Sequence, residues 1–260
     1  MPTRTALVTG ATGAIGGAIA LGLLERRFHV ILVARDARRG ERAARVLTRQ
    51  GKHPVSVELC DVARHADILS LAHRLPETLD VLVNAAAECP RARQETAEDI
   101  ELQWATNVLG YYWMMHACLP ALVRSGSGRV VNVASYWAGG LELGDVEFQR
   151  RPYDNDVAYR QSKQADRMLS RACAERFRQQ KVSVFSCHPG DVASKLSRDL
   201  GFGGHESAEQ GADTPLWLAT SEELEAKSGG YFARRRAEPC TFSEDRVAVG
   251  KLVDLCEEYA

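Results

Sequence analysis

Near-continuous apolar runs recur along the chain at 5–10, 29–34, 54–60, 79–86, 128–134 and 182–187, with little alternation of apolar and polar positions inside them. Strands buried on both faces of a parallel sheet read this way, whereas a half-solvated strand alternates with period two. A weaker run at 229–233 predicts a seventh strand. Segments with helical spacing fall between the runs, near 14–26, 37–50, 63–74, 97–124, 157–179, 206–220 and 244–258. This order, without a polar linker, predicts one α/β domain over 1–260: a doubly wound parallel sheet of about seven strands flanked by helices. Ligands bind such a sheet at the carboxyl ends of its strands. Those ends carry the glycine turn that closes the first run, Ala34-Arg35, Cys60-Asp61-Val62, Asn84-Ala85-Ala86-Ala87, Ser135 and His188-Pro189-Gly190.

The first run leads into Thr9-Gly10-Ala11-Thr12-Gly13-Ala14-Ile15-Gly16 and then a helix. Glycines there let the backbone turn tightly and approach a pyrophosphate, and the free amides of the helix start attract the anion. The spacing is GxxGxxG rather than GxGxxG, and an ordinary glycine-rich loop is the alternative. Arg35, at the end of the second run, offers a fork that pairs bidentately with a phosphate, and Arg38 or Arg39 can add charge. A 2′-phosphate needs a cation at this place, so NADP(H) is the expected cofactor, with NAD(H) the lesser choice. The competing arrangement leaves Arg35 in solvent and turns Asp36 inward to the ribose.

Tyr159 and Lys163 stand four residues apart in a helical segment and so share a face. An ammonium beside a phenol favours the ionised phenol. Bringing a tyrosine from ~10 toward neutrality by ~3 units takes ~4 kcal/mol, which the lysine and a cationic cofactor could supply together. The expected result is a phenol that carries a proton in catalysis.

Composition narrows the partners. A formal charge of −1 and a pI near 6.7 give no general attraction to nucleic acid or an anionic membrane. The first run begins close to Met1 and no apolar stretch approaches the ~20 residues of a membrane span, so a cytoplasmic protein without signal peptide or anchor is expected. The seven cysteines lack CxxC or zinc spacing and are expected as free thiols, and no metal site is expected at Cys187-His188. Short runs such as Arg150-Arg151 and Arg234-Arg235-Arg236 read as solvated surface or intersubunit contacts rather than phosphate sites.

With these pieces in order, the sequence resembles the short-chain dehydrogenase/reductase family along nearly its whole length. The resemblance implies a Rossmann-type domain with its cofactor half over about 1–134 and its catalytic and substrate elements over about 135–260. Thr9, Gly10, Thr12, Gly13, Ala14, Ile15 and Gly16 match the cofactor turn, Asp61-Val62 the adenine contact, and Asn84-Ala85-Ala86 the NNAG strand end. Pro189, Gly190 and Val192 match the turn after the sixth strand. Asn107, Ser135, Tyr159 and Lys163 match the catalytic tetrad. The resemblance implies that Ser135 bonds the substrate oxygen, that Tyr159 exchanges the proton, that Lys163 tunes Tyr159 and holds the nicotinamide ribose, and that Asn107 orders a relay water.

Within the family the nearest likeness is to the retinol dehydrogenase and WW-domain oxidoreductase-like group. It is carried by Ala34-Arg35-Asp36, Asn107-Val108-Leu109-Gly110, His188-Pro189-Gly190, Gly229-Gly230-Tyr231-Phe232 and the long interval from Ser135 to Tyr159. Ala14, Ala85 and Ala87 depart from the family pattern. The expected reaction is hydride transfer between NADP(H) and a carbonyl or alcohol. Reduction of a carbon–carbon double bond and a non-catalytic NADP(H) sensor or scaffold are the alternatives. Trp137, Leu141, Leu143, Phe148 and Tyr153 suit either a lipophilic substrate or the core. Segment 190–206 suits a lid, and the helices at 97–124 and 157–179 suit a homodimer or homotetramer contact.

Overall fold

The computed structural model describes residues 4–51 and 53–260. Eight strands form one sheet in the order β3-β2-β1-β4-β5-β6-β7-β8. They are β1 (Thr5–Thr9), β2 (His29–Ala34), β3 (Val55–Leu59), β4 (Val81–Asn84), β5 (Arg129–Val133), β6 (Ser183–His188), β7 (Tyr231–Ala233) and β8 (Arg236–Glu238). Every pairing from β3 through β7 is parallel, and only β8 runs antiparallel to its neighbour. The strand order reverses between β1 and β4, which opens a crevice at their carboxyl ends.

The helices are α1 (Ala14–Glu25), α2 (Ala37–Gln50), α3 (His65–Ala72), α4 (Gly110–Arg124), α5 (Asn155–Phe177), α6 (Lys195–Asp199), α7 (Ala208–Thr220) and α8 (Arg246–Glu258). Successive residues of each central strand point to opposite faces and feed two cores. Leu7, Ile31, Leu82, Val130 and Val184 pack toward α3, α4, α5 and α8. Ala6, Val8, Leu32, Val83, Val131 and Phe185 pack toward α1 and α7. Phe185 is fully buried edge-on against Phe232, and truncating such a ring to alanine costs about 3–5 kcal/mol.

Two expectations change. β8 is an eighth strand that no apolar run announced, because its residues are exposed. The exposed Arg234 and Arg235 form the tight turn before it in left-handed backbone (φ 49° and 56°). Arg235 is held there by Asp213 and by the Thr214 hydroxyl, which accepts from its amide at 3.2 Å. The helix expected from 97 begins only after Glu101, since Asp99 takes φ 58° and closes a turn back to Thr96. Trp104–Leu109 then widens into a π-helical segment before α4.

The outer face of α5 carries α8, clasped by Arg176 to Glu257 at 2.8 Å, and α3 lies on α4, with His65 stacked on Trp113. The helices expected to pair subunits are thus substantially covered within the chain. Among the described residues no helix is long and apolar enough to cross a membrane.

Candidate active site

The crevice encloses about 300 Å³ and is walled by the glycine turn, the ends of β2, β3 and β4, Tyr159 and Lys163 of α5, and the segment that holds α6. Gly10 sits at φ 66°, and a Cβ there would lie 2.6 Å from the Ala85 carbonyl oxygen and the Ala86 amide nitrogen. A Cβ on Gly16 would lie 2.4 Å from the Gly10 carbonyl oxygen. Only glycine permits this packing of turn, helix and neighbouring strand. Gly13 precedes α1 without a side-chain cap, which leaves the amides of the first turn for a ligand. This cradle fits a pyrophosphate. The Thr9 hydroxyl lies beneath it, accepting from Ala85 N at 3.0 Å and Ala86 N at 3.2 Å.

Arg35 lines the same crevice and pairs with Glu88 at 2.7 Å. Asp36 commits one carboxylate oxygen to the start of α2, accepting from Arg39 N at 2.7 Å. Asp61 lines the crevice with Val62, and its carboxylate accepts from Ala63 N at 3.1 Å.

Asp154 caps α5, accepting from the amides of Asp156 and Val157 at 2.9 Å each. The helix so started presents Tyr159 and Lys163 one turn apart at the crevice floor, both buried. Ser135, two residues beyond β5, is buried beside them. Its hydroxyl accepts from Trp137 N at 3.1 Å and faces the Tyr159 phenol. Three groups able to hold or move a proton thus lie together.

The family model for short-chain dehydrogenases matches residues 4–201. The chain belongs to the short-chain dehydrogenase/reductase family. Retinol dehydrogenase 13 of Mus musculus is 32% identical, over 97% of this chain and 82% of the relative. A solved but uncharacterized protein of Mycobacterium Paratuberculosis matches with a TM-score of 0.83 at 27% identity, covering 99% of this chain and 94% of its own. RhlG of Pseudomonas aeruginosa, solved as an NADP active-site complex, matches with a TM-score of 0.71 at 26% identity, over 88% of this chain and 93% of its own. The chain is therefore an oxidoreductase of this family, close to the retinol dehydrogenase group.

Several other site residues of this oxidoreductase make contacts within the chain. Asn84 is fully buried and gives its side-chain amide to Asn132 at 2.9 Å, which ties β4 to β5. Asn107 spends its carboxamide on the chain: the oxygen accepts from Glu88 N at 2.9 Å, and the nitrogen donates to Glu88 O at 3.0 Å and to Ser162 at 3.3 Å. Its side chain thereby fixes the wall that follows β4. Val192 is buried and bridges to Glu206. Gly190 takes φ 105°, with the Glu206 carboxylate where a Cβ would stand. Pro189 does line the crevice.

The phenol also behaves differently from the sequence argument. Burial drives the Tyr159 pKa well above the ordinary tyrosine value, the nearby Ser135 hydroxyl opposes the rise, and the negative charge of Asp166 adds to it. The Lys163 ammonium is engaged within the chain, donating to Asp166 at 2.8 Å and to the Val133 carbonyl at 3.1 Å. An ammonium neutralised by a buried carboxylate stabilises a neighbouring phenolate far less than a free one does.

Of the five hydrophobic residues left open between Ser135 and Tyr159, Leu141 and Leu143 pack on the core. Phe148 and Tyr153 meet edge to face, and the Tyr153 hydroxyl bonds the Pro90 carbonyl. Trp137 stacks on Phe202 of the segment after β6, with centroids 5.5 Å apart. Within that segment Ser194 and Ser197 cap α6 reciprocally, and Ser194 to Leu196 and Asp199 wall the crevice. Glu88, Cys89, Asp166 and Arg167 escaped the sequence reading.

Each of the seven cysteines is a free thiol. Among the described residues no cluster of metal-ligating side chains occurs.

Proposed function

We propose that this protein is an NADP(H)-dependent oxidoreductase that interconverts a carbonyl and an alcohol, with Tyr159 as acid and base. The observation that carries the reading is that Tyr159 and Lys163, with Ser135 buried beside them, line the same crevice as the glycine cradle. A bound nicotinamide dinucleotide supplies or accepts the hydride. Ser135 donates to the substrate oxygen and stabilises charge developing there, while Tyr159 gives it the phenolic proton. A phenol that burial keeps protonated suits the reductive direction. Lys163, on the face of α5 next to Tyr159, holds the nicotinamide ribose.

Arg35 supports the preference for a 2′-phosphate: it lines the crevice, and its Glu88 partner is exchangeable for a phosphate. The occupation of Asp36 at the start of α2 weighs against the inward ribose contact. Asp61 accepts from the adenine amino group, with Val62 beside it. The stack of Trp137 on Phe202 supports segment 190–206 as a lid over a lipophilic or aromatic substrate. A homodimer or homotetramer would have to form on surfaces other than the covered faces of α4 and α5.

The test follows NADPH and NADH oxidation at 340 nm against aldehydes, ketones and quinones, with product identification and Tyr159→Phe beside the unaltered protein. Alcohol formation from NADPH that disappears in Tyr159→Phe is expected. Full turnover in that variant would remove Tyr159 from the chemistry, and a saturated carbon–carbon bond in the product would replace the carbonyl reaction.

A further inference from the structure

Asp166 lies one turn beyond Lys163 on α5, and its side chain is fully enclosed. One carboxylate oxygen accepts from the Lys163 ammonium at 2.8 Å, and the other has no hydrogen-bond partner. An exposed helical pair with this spacing contributes a few tenths of a kcal/mol. A buried pair costs several kcal/mol per ion to desolvate, and well-packed hydrophobic residues often do as well or better. Stability therefore gives weak grounds for an anion here. Its position supplies better ones: Asp166 is behind the ammonium, Tyr159 is in front, and the Val133 carbonyl fixes a second ammonium proton.

We propose that Asp166 is a positioning residue that anchors the Lys163 ammonium and, through its charge, governs how firmly the Tyr159–Lys163 pair keeps its protons. The proposal rests on the reading of that pair as the reacting groups. The titratable and charged groups facing Asp166 are Lys163 and Arg167 from its own helix, Tyr111 from α4 and Cys256 from α8. Tyr159 is faced by Asp166, Cys89 and Tyr231, and Lys163 by the rings of Tyr111 and Tyr159 and by Cys187. Burial raises the Asp166 carboxyl and Lys163 opposes the rise. Removing the anion leaves a cation among poorly solvated groups, so the first proton lost from the pair, from phenol or ammonium, leaves at lower pH. Carbonyl reduction needs both protons in place, and its alkaline limb shifts in the same direction whichever group yields first.

The test compares the unaltered protein with Asp166→Asn, which keeps the shape and one acceptor, and with Asp166→Glu, which keeps the charge. In Asp166→Asn the alkaline limb of NADPH-dependent reduction is expected to fall by about one pH unit, a tenfold change in proton affinity. Asp166→Glu should restore most of that unit. An unmoved limb in Asp166→Asn overturns the proposal.

A second readout needs neither cofactor nor substrate: the side-chain ¹⁵N resonance of Lys163, assigned with Lys163→Met, followed against pH. The ammonium is expected to lose its proton at lower pH in Asp166→Asn, and identical titrations overturn the anchoring. A shift here without turnover on any carbonyl sustains the anchor and counts against the carbonyl–alcohol reading alone. If Asp166→Asn does not fold, Lys163→Met/Asp166→Leu decides. A folded double variant means that the lysine requires its anion, and an unfolded one reduces Asp166 to packing and overturns the proposal.

Discussion

Arg35 and Glu88 meet at 2.7 Å, joining the end of β2 to the wall after β4 over the glycine turn of β1. Both side chains remain partly exposed, at 51% and 26%, and a pair of this kind is worth about 0.2–1 kcal/mol. Glu88 therefore competes weakly with a phosphate for the same guanidinium. Glu88→Gln is expected to tighten NADPH binding about two- to fivefold and to leave NADH unchanged. Arg35→Ala should weaken NADPH about tenfold or more, a loss of about 1.4 kcal/mol. Fluorescence titration with both dinucleotides checks this, and equal effects on NADPH and NADH would take the 2′-phosphate away from Arg35.

Arg167 holds the backbone at Ser135. Its guanidinium donates to the Ser135 carbonyl and to the Tyr231 hydroxyl at 2.9 Å, and lies 3.7 Å above the Tyr231 ring. A buried charge-assisted hydrogen bond is worth about 1.5–3 kcal/mol. If it serves to hold Ser135 in place, Arg167→Met should lower kcat about 10- to 100-fold with little change in KM or in dinucleotide affinity. Tyr231→Phe keeps the stack and should lose less. A rise in KM with kcat intact would point to substrate contact instead of positioning.

These two arginines mark what sequence could and could not disclose. Arg35 was legible because the end of β2 is a fixed landmark in a doubly wound sheet, and the apolar runs locate that strand. The parallel sheet, the glycine turn and the Tyr159–Lys163 face were legible for the same reason, being local patterns of fixed period. Arg167 and Asp166 were not, since a charged residue inside a helical run reads as solvated until tertiary packing encloses it. Asn84 and Asn107 were read by family position alone. Their buried bonds to Asn132 and Glu88 span long stretches of chain that no local pattern encodes. β8 was missed because arginines, without an Asn-Gly signal, hold its turn through contacts to α7.

Gly10 and Gly13 should respond differently to alanine. Gly10 combines φ 66° with a Cβ path blocked by the backbone of Ala85 and Ala86, and left-handed backbone alone costs an alanine about 1–2 kcal/mol. Gly13 has φ −94°, and its nearest neighbour to a Cβ, the Gly10 carbonyl oxygen, is 3.3 Å away. Gly10→Ala is expected to lower Tm and abolish detectable dinucleotide binding, while Gly13→Ala keeps most of both. Thermal melts with fluorescence titration check the pair, and equal losses would mean that the cradle does not depend on the close approach at Gly10.

Glu101 gives a prediction that needs no ligand. Its carboxylate accepts from the amides of Gln103 and Trp104 at 2.9 and 2.7 Å, at the start of the helix that carries Asn107. Burial pushes its pKa up from 4.5 to about 7, the two amides oppose the rise, and the nearby Glu147 adds to it. The folded protein therefore holds a proton that the unfolded chain has released between those values. The stability this contributes is fully present below about pH 4.5 and is lost as pH rises through about 7. Glu101→Gln keeps a neutral acceptor and removes the titration. Relative to that variant, the unaltered protein should lose stability between pH 5 and pH 8, on the order of 3 kcal/mol at about 1.4 kcal/mol per unit. Urea unfolding of both proteins across that range measures the difference directly, and a pH-independent gap would mean that Glu101 is ionised throughout and that its two amide bonds outweigh its burial.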